Sequence, residues 1–137
     1  MLISTKGRYA LRVMVDIAEH SGEEYLSLKD IANRQRISMK YLEMIIGSLV
    51  REKLLLSRRG KTGGYTLSKS PEDYSAYEII FAAEGGIASV GCPLLEGAIC
   101  NHVDSCTTFP LWKGLDTVIE NYLKSVTLKD LVNRTVK

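Results

Sequence analysis

Three cysteines stand close together in a chain that contains no others. Cys92, Cys100 and Cys106 lie within fifteen residues of one another in the 137-residue sequence. Thiolates are soft ligands, and proteins use them to bind zinc or the iron of iron–sulfur clusters. Glycine and proline interrupt the segment, which is therefore predicted to be a loop between two helices. The grouping of thiols favours a bound metal or an iron–sulfur cofactor.

The residues alone leave several chemistries open for this loop. An iron–sulfur cluster needs four ligand positions, and the cysteines supply three of them. His102 is the nearest candidate for the fourth position, and Asp104 and Glu96 are weaker candidates. The same cysteines with His102 could instead hold zinc as a structural site. A disulfide-exchange switch without metal, or inert core thiols, would also account for the cysteines.

Upstream of the cysteines, three serines mark the starts of predicted helices. Ser4 is the expected N-cap of a first helix that runs to about His20. Ser27 opens a short second helix, in which Asp30 can complete a capping box, and Ser38 opens a third helix. Two helices joined by a tight turn, the second with a clean polar face, predict a helix-turn-helix. The apolar stripe of the third helix consists of Leu42, Ile45, Ile46, Leu49 and Val50.

A basic hairpin follows the third helix. Two strand-like stretches, 54–57 and 64–67, flank a glycine-rich tip at 58–63. Five basic residues and one acid occupy positions 51–61, a balance that suits contact with a polyanion. A helix-turn-helix followed by such a hairpin is a winged helix, whose third helix enters the DNA major groove while the tip reaches the minor groove. The candidate DNA-contacting side chains are Lys40, Tyr41, Glu43, Met44, Arg58, Arg59 and Lys61.

Charge and composition exclude several function classes. Residues 1–70 carry a net charge of +6 and residues 71–137 carry −4, so only the first half suits nucleic acid. No apolar run approaches the ~18 residues of a membrane span and no cleavable leader is evident, so we expect a cytoplasmic protein with no membrane partner. Without a phosphate-binding loop or an oriented nucleophile, an enzyme is not expected. A metal-stapled interaction module that binds no DNA is the alternative class.

The C-terminal third is predicted to be helical and to mediate dimerisation. A short helix over about 77–83 precedes the cysteines, a long helix over about 111–123 follows them, and Thr127 caps a final short helix. The long helix is apolar over more surface than one small domain can cover, so we expect a homodimer. The expected fold class is mainly α with a small β-hairpin wing, a winged helix-turn-helix plus a long C-terminal dimerisation helix. Its parts are the DNA-binding domain 1–84, the cluster-binding loop 85–108 and the dimerisation segment 109–137.

Several motifs in this sequence resemble a known family. STKGRYAL at 4–11, ISMKYLE at 37–43 and RRGKTGGYTL at 58–67 are similar to winged-helix regulators that include IscR, NsrR and CymR. WKGL at 112–115 and TLKDLV at 127–132 extend the likeness along the chain. The resemblance implies a homodimeric bacterial transcription regulator, usually a repressor, that binds double-stranded operator DNA. Because CymR-type members lack the cysteines, the chain is most similar to the cluster-binding IscR type.

The resemblance also implies roles for individual sites. Cluster-binding members hold a [2Fe–2S] or [4Fe–4S] centre on three cysteines of this loop, and [2Fe–2S] is the expected type here. Glu43 matches the acid that discriminates between operators, and Arg59 matches the wing arginine that reaches the minor groove. The implied role is control of iron–sulfur cluster assembly genes, with cluster-assembly proteins as cluster donors. Nitric oxide response and cysteine metabolism are the alternatives within the family.

Three departures from the family pattern concern the cluster ligands, and the last two leave the fourth ligand open. Seven residues separate Cys92 from Cys100, two more than is usual in the family. The position of the ligating histidine of IscR-type proteins, three residues after the last cysteine, is Phe109 here. The position from which NsrR-type proteins supply an acid across the dimer is Arg8, which cannot bind iron.

Overall fold

The computed structural model describes residues 3–137, and within them the chain is mainly α-helical with one two-stranded antiparallel sheet. The expected fold class, a winged helix-turn-helix with a long C-terminal helix, is confirmed. The helices are α1 (Thr5–His20), α2 (Leu28–Gln35), α3 (Met39–Arg51), α4 (Ala76–Glu84), α5 (Phe109–Ser125) and α6 (Leu128–Asn133). The strands are β1 (Leu55–Arg58) and β2 (Gly64–Leu67), and short 3-10 turns lie at Pro71–Asp73 and Val103–Ser105.

Hydroxyl side chains determine where the helices begin. Ser4, Ser27 and Ser38 each accept a hydrogen bond from a backbone N–H of the first turn of α1, α2 and α3, as predicted. Each such cap contributes about 1 kcal/mol. The capping box predicted at α2 is incomplete, because Asp30 does not return the bond to Ser27. The box predicted at Thr127, by contrast, is complete.

The hydrophobic core lies where α1 packs against the helix-turn-helix. Ile37 fills the corner between α2 and α3 and is buried. The predicted stripe of α3 faces this core, although Val50 at its end is only half-buried. Burying each large aliphatic side chain contributes roughly 1.5–3 kcal/mol, so packing against α1 determines the orientation of α3. The buried apolar side chains that α1 and α3 contribute are Ala10, Val13, Met14 and Ile17 of α1 and Leu42, Ile45, Ile46 and Leu49 of α3.

The hairpin forms the predicted wing and is docked on the linker between α1 and α2. Leu55 pairs with Leu67 at its base and Arg58 with Gly64 near its tip. The linker forms a single antiparallel β-bridge with the wing: the N–H of Leu26 donates to the carbonyl of Tyr65 at 2.9 Å, and the return bond is 2.8 Å. Gly64 has φ +145°, and a Cβ there would lie 2.1 Å from the Leu26 carbonyl oxygen. Only glycine permits this close approach of wing and linker.

One buried phenol ties the end of the wing to the body of the domain. Tyr74 is 1% exposed, and its hydroxyl donates to the carbonyl oxygen of Leu54 at 2.8 Å. The same hydroxyl accepts from the backbone N–H of Ser68 at 2.8 Å and of Lys69 at 3.1 Å. These bonds join both strands of the hairpin at its base, so the wing leaves the domain in a defined direction.

The long helix α5 stands apart from the core. None of its residues is buried, and it contacts the rest of the chain mainly through α4. Trp112, Ile119 and Leu123 are half-buried. The apolar residues of α5 that remain exposed are Leu111, Leu115, Val118 and Tyr122. Neither α5 nor any other helix within residues 3–137 has the length and apolar character needed to cross a membrane.

Candidate DNA interface and cysteine segment

The outer face of α3 is polar and open to solvent. Lys40, Glu43 and Met44 are exposed, and Tyr41 is half-buried. All four belong to the first two turns of α3, the end that enters the major groove in helix-turn-helix proteins. The Lys40 ammonium attracts phosphate, and the Glu43 carboxylate can accept a hydrogen bond from cytosine N4. The face therefore combines a group that binds any sequence with one that discriminates between bases.

Aromatic contacts attach the start of α3 to α1. The ring of Tyr9 meets the ring of Tyr41 edge to face, with centroids 5.9 Å apart and planes at 79°. Such pairs contribute about 0.5–1.5 kcal/mol beyond simple burial. The Arg12 guanidinium lies 4.8 Å from the Tyr9 centroid and donates to the carbonyl oxygen of Gln35 at 2.7 Å. Tyr41 therefore supports the recognition helix in addition to being a candidate DNA contact.

A buried carboxylate anchors the end of α2. Asp16 is 1% exposed and accepts from Arg34 Nη2 at 2.7 Å and from Arg34 Nε at 3.0 and 3.1 Å. Its second oxygen also accepts from Gln35 Nε2 at 2.7 Å. The chain turns towards α3 directly afterwards, at Arg36 with φ +54°. The network fixes the last turn of α2 and hence the start of the turn that presents α3.

The three basic side chains of the wing have different surroundings. The Arg58 guanidinium lies 4.2 Å from the centroid of the Tyr25 ring, and its Nη2 donates to the carbonyl oxygen of Thr62 at 2.9 Å. Arg59 and Lys61 are exposed. Neither side chain forms a hydrogen bond or salt bridge with any residue between positions 3 and 137. Two of the three predicted contacts are thus directly available to DNA, and the third is engaged within the protein.

The three cysteines lie on one irregular segment between α4 and α5. Each is half-buried and has a free thiol. In the described part of the chain, no three side chains of His, Cys, Asp or Glu converge in a metal-binding arrangement. Cys106 precedes α5, where the Thr108 hydroxyl (3.6 Å from the sulfur) and the N–H groups of Thr108 and Phe109 lower the pKa of its thiol. The donor chemistry fits a soft metal centre, because thiolate is the form that binds iron or zinc.

The candidates for a fourth ligand are all exposed. His102 precedes the 3-10 turn that contains Asp104, and Glu96 lies in the turn after Cys92. The backbone N–H of Glu96 donates to the Cys92 carbonyl oxygen at 3.2 Å, so this turn is closed by main-chain bonds. Nothing in the geometry selects one of these three side chains.

A single carboxylate joins the start of α1 to the end of α4. One oxygen of Glu84 accepts hydrogen bonds from the N–H and the hydroxyl of Ser4, both at 2.7 Å, and from the N–H of Gly7 at 2.9 Å. A Cβ on Gly7 would lie 2.7 Å from that oxygen, so a side chain at position 7 would have to displace the Glu84 carboxylate. Gly85, with φ +77°, ends α4 directly afterwards and starts the segment that leads to the cysteines. The base of the cysteine segment is thus attached to the helix that supports α3.

These hydrogen bonds make the Glu84 anchor sensitive to acid. Burial disfavours the charged form, but the hydrogen bonds from Ser4 and Gly7 outweigh it, so the pKa of Glu84 lies below its ordinary 4.5. Because the pKa of Glu84 is lower in the folded protein than in the unfolded chain, its charged carboxylate stabilises the fold at pH values above the ordinary pKa. This stabilisation is lost as the pH falls through the folded-state pKa. We expect Glu84→Gln to lower the melting temperature at pH 7 and to flatten the loss of stability between about pH 5 and 3. Thermal unfolding across this range measures both effects, with exposed Glu72→Gln as control; parallel curves for Glu84→Gln and the parent chain would contradict the assignment.

Sequence reasoning missed the side chains that hold the DNA-reading elements. The sequence pattern assigned no role to Asp16, although an acid inside an otherwise apolar helix is itself a signal of a buried partner. The Glu84 anchor and the Tyr25–Arg58 contact join segments far apart in sequence, and no local pattern indicates them.

A helix-turn-helix with an open polar face, followed by a basic wing, defines the winged-helix class of DNA-binding transcription regulators. Within that class, the chain matches the Rrf2 family, described as iron-dependent transcriptional regulators, over residues 3–134. The chain belongs to the Rrf2 family and is a DNA-binding transcriptional regulator. The family resemblance drawn from the sequence motifs is confirmed.

Individual relatives agree with this assignment. The HTH-type transcriptional regulator IscR of Photorhabdus laumondii is 40% identical over 97% of this chain and 80% of that protein, and the IscR of Pectobacterium carotovorum is 39% identical over the same shares. Among solved structures, CymR of B. subtilis, described as its global cysteine regulator, has a TM-score of 0.79 with 34% identity over 99% of both chains. IscR of T. potens has a TM-score of 0.78 with 36% identity over 99% of this chain and 89% of the other. The family and both IscR relatives are transcriptional regulators and not enzymes, in agreement with the expectation that this chain is not an enzyme.

Proposed function

We propose that the chain is a homodimeric, operator-binding repressor that senses iron–sulfur cluster status through Cys92, Cys100 and Cys106. The observation that carries this proposal is an open DNA-reading face in the same chain as three free, half-buried thiols. Membership of a family described as iron-dependent supports the sensing role. We infer that it acts in the cytoplasm on genes for iron–sulfur cluster assembly and receives its cluster from assembly proteins.

The DNA-binding domain, residues 1–84, would read the operator in two grooves. Lys40, Glu43 and Met44 would face base edges and phosphates of the major groove from α3. Arg59 would enter the minor groove, where narrow A·T-rich stretches concentrate negative potential. Lys61 would bind phosphate beside it. The +6 charge of residues 1–70 supports this orientation of the domain towards DNA.

The dimerisation segment, residues 109–137, would pair through the exposed face of α5. Leu111, Leu115, Val118 and Tyr122 are between 40% and 65% exposed. Their spacing of four, three and four residues places them on one side of the helix. Exposed apolar side chains grouped on one helix face are typical of a protein–protein contact surface. A two-fold pair of α5 helices would also give the two recognition helices a fixed separation.

We expect Val118→Glu to convert the dimer to monomer, because a carboxylate would be buried without a partner in an apolar interface. The dimer dissociation constant should rise at least about tenfold, which corresponds to ~1.4 kcal/mol. Sedimentation equilibrium measures it directly. Thr117→Glu adds the same charge one residue away on the exposed surface and should leave the dimer intact. Unchanged assembly of Val118→Glu would place the interface elsewhere.

The loop 85–108 would hold the cluster. The three cysteines would supply thiolate ligands, with His102 as the candidate for the fourth position, and [2Fe–2S] is the type we favour over [4Fe–4S]. When bound, the cluster would supply reactivity towards iron loss, oxygen or nitric oxide. The chain's own part is to lower the pKa of the Cys106 thiol through the hydrogen bonds from Thr108 and Phe109, and to attach the loop to α1 through Glu84. A change in the order of the loop would thereby alter both the packing of the two α5 helices in the dimer and the position of α1, against which α3 packs.

A comparison of operator affinities tests this coupling. Anaerobically prepared protein and its Cys92→Ala variant would be titrated on a duplex selected from a random-sequence library. We expect affinities that differ at least about tenfold, typical of allosteric coupling free energies. Ser105→Ala, in the same loop but without a thiol, is the matched control. Equal affinities on every selected duplex would remove the cysteines from regulation. A thiol switch would instead give a difference that depends on oxidant, and a zinc site one that depends on zinc. A response to cysteine metabolites would favour a role like that of CymR, the global cysteine regulator of B. subtilis.

A further inference from the structure

The tip of the wing is held by an aromatic ring from a different part of the chain. Tyr25 belongs to the linker between α1 and α2 and is half-buried. The Arg58 guanidinium lies over its ring, 4.2 Å from the centroid. The same guanidinium donates through Nη2 to the Thr62 carbonyl oxygen at 2.9 Å, across the tip of the hairpin. Arg58 thus connects the linker on one side with the far end of the tip on the other.

Backbone contacts bring linker and wing together beside this stack. Leu26 and Tyr65 exchange two main-chain hydrogen bonds of 2.8 and 2.9 Å, and Gly64 permits the close approach. These bonds fix the start of β2 on the linker. The tip beyond it, residues 59–63, extends past the last pair of the ladder, Arg58 with Gly64. The Tyr25–Arg58–Thr62 contact is therefore placed where the hairpin would otherwise begin to bend freely.

We propose that Tyr25 and Arg58 are positioning residues of the wing, and that Arg58 is not itself a phosphate contact. The stacked pair holds the tip so that Arg59 and Lys61 present their charges at a fixed distance from α3. An arginine suits this task because its planar group can stack on a ring and donate in its own plane at once. The inference rests on the proposed contact of the wing with DNA and adds to it a residue outside the DNA-reading elements.

Two substitutions at Tyr25 separate the ring from the rest of the side chain. Tyr25→Leu keeps an apolar group on the linker and removes the ring, whereas Tyr25→Phe removes only the hydroxyl. A cation–π contact at an exposed site corresponds to about a twofold to fivefold change in an equilibrium. We expect Tyr25→Leu to bind a selected operator duplex about twofold to fivefold more weakly, with an unchanged salt slope and faster amide exchange over residues 59–63. Tyr25→Phe should match the parent chain in all three measurements.

A double-variant cycle distinguishes positioning from a general loss of structure. In an Arg58→Gln background the ring has no cation to hold, so Tyr25→Leu should cause no further loss of affinity. If the affinity losses of Tyr25→Leu and Arg58→Gln were additive in the double variant, the proposal would be overturned. It would also be overturned if Tyr25→Leu had the operator affinity and amide exchange of the parent chain, or if Tyr25→Phe lost as much affinity as Tyr25→Leu. Arg59→Ala in the same series tests the proposed function separately. If Arg59→Ala binds like the parent, the wing does not contact DNA; if it weakens binding while Tyr25→Leu does not, only the positioning role fails.

Discussion

Replacement of Asp16 by alanine is expected to lower the free energy of unfolding by about 3 kcal/mol. Asp16 is 1% exposed and accepts hydrogen bonds from Arg34 and Gln35, whose donors would lose their partner. Removal of one member of a buried ion pair costs about 3–5 kcal/mol, and the lower end applies because the Arg34 side chain is 31% exposed and can be hydrated. A small domain has only about 5–15 kcal/mol in total, so this is a large fraction of its stability.

Urea unfolding at one fixed protein concentration would measure this loss, because the stability of a dimer depends on concentration. Glu78→Gln is the matched control. Glu78 pairs with Lys69 at 2.9 Å, but both side chains are more than one third exposed, so its loss should change stability by less than about 1 kcal/mol. Similar effects of the two substitutions would show that the Asp16 network does not hold α2. We also expect Asp16→Ala to weaken operator binding, because the turn that presents α3 follows Arg34 and Gln35 directly.

Replacement of Arg59 by alanine is expected to weaken operator binding about tenfold and to reduce the salt slope by about 0.9. Each phosphate or minor-groove charge that a protein neutralises releases close to one counterion from DNA, so loss of one contact appears in the slope. The Arg59 side chain is exposed and forms no hydrogen bond or salt bridge within residues 3–137, which leaves its full charge for DNA. Fluorescence anisotropy titrations between about 50 and 200 mM salt would give both quantities.

Lys129→Ala controls for the change in net charge. Lys129 is exposed on α6, far along the chain from α3 and the wing, and its replacement by alanine removes the same single positive charge. We expect its affinity and its salt slope to match those of the parent chain. If Arg59→Ala and Lys129→Ala gave the same small change, the wing arginine would act only through the overall field and not by contact.

Local chemistry in the sequence accounts for much of the fold. Serines that precede stretches with helical spacing of apolar residues predicted the first residues of α1, α2 and α3 to within one position. This local signal suffices because an N-cap side chain acts on the backbone N–H groups next to it. The period of the α3 stripe placed its buried and open faces, because side-chain direction follows from helix geometry. Glycines around the wing tip predicted the hairpin for a similar reason, since φ values such as that of Gly60 (+106°) are local backbone requirements.

Features that depend on distant segments were beyond such reasoning. The sequence pattern makes α5 apolar over much of its surface, but which of these residues stay exposed depends on where α4 packs. Asp16 finds Arg34, and Tyr25 finds Arg58, only after the helices have packed. The identity of a fourth ligand for the cysteine segment likewise depends on distant contacts. A candidate such as His102 can be named from its neighbours, but its selection depends on contacts that the local sequence does not specify.

The most direct test of the central proposal is the metal content of the chain purified without oxygen. We expect a brown protein with visible absorption of a cluster, iron and acid-labile sulfide in equal amounts, and no zinc. The Cys92→Ala, Cys100→Ala and Cys106→Ala variants should each be paler and contain less iron, because each loses one thiolate ligand. A colourless protein with stoichiometric zinc would contradict the cluster and make the cysteine segment a structural zinc site. A colourless, metal-free protein would also contradict it and would leave thiol–disulfide exchange as the chemistry of these three residues.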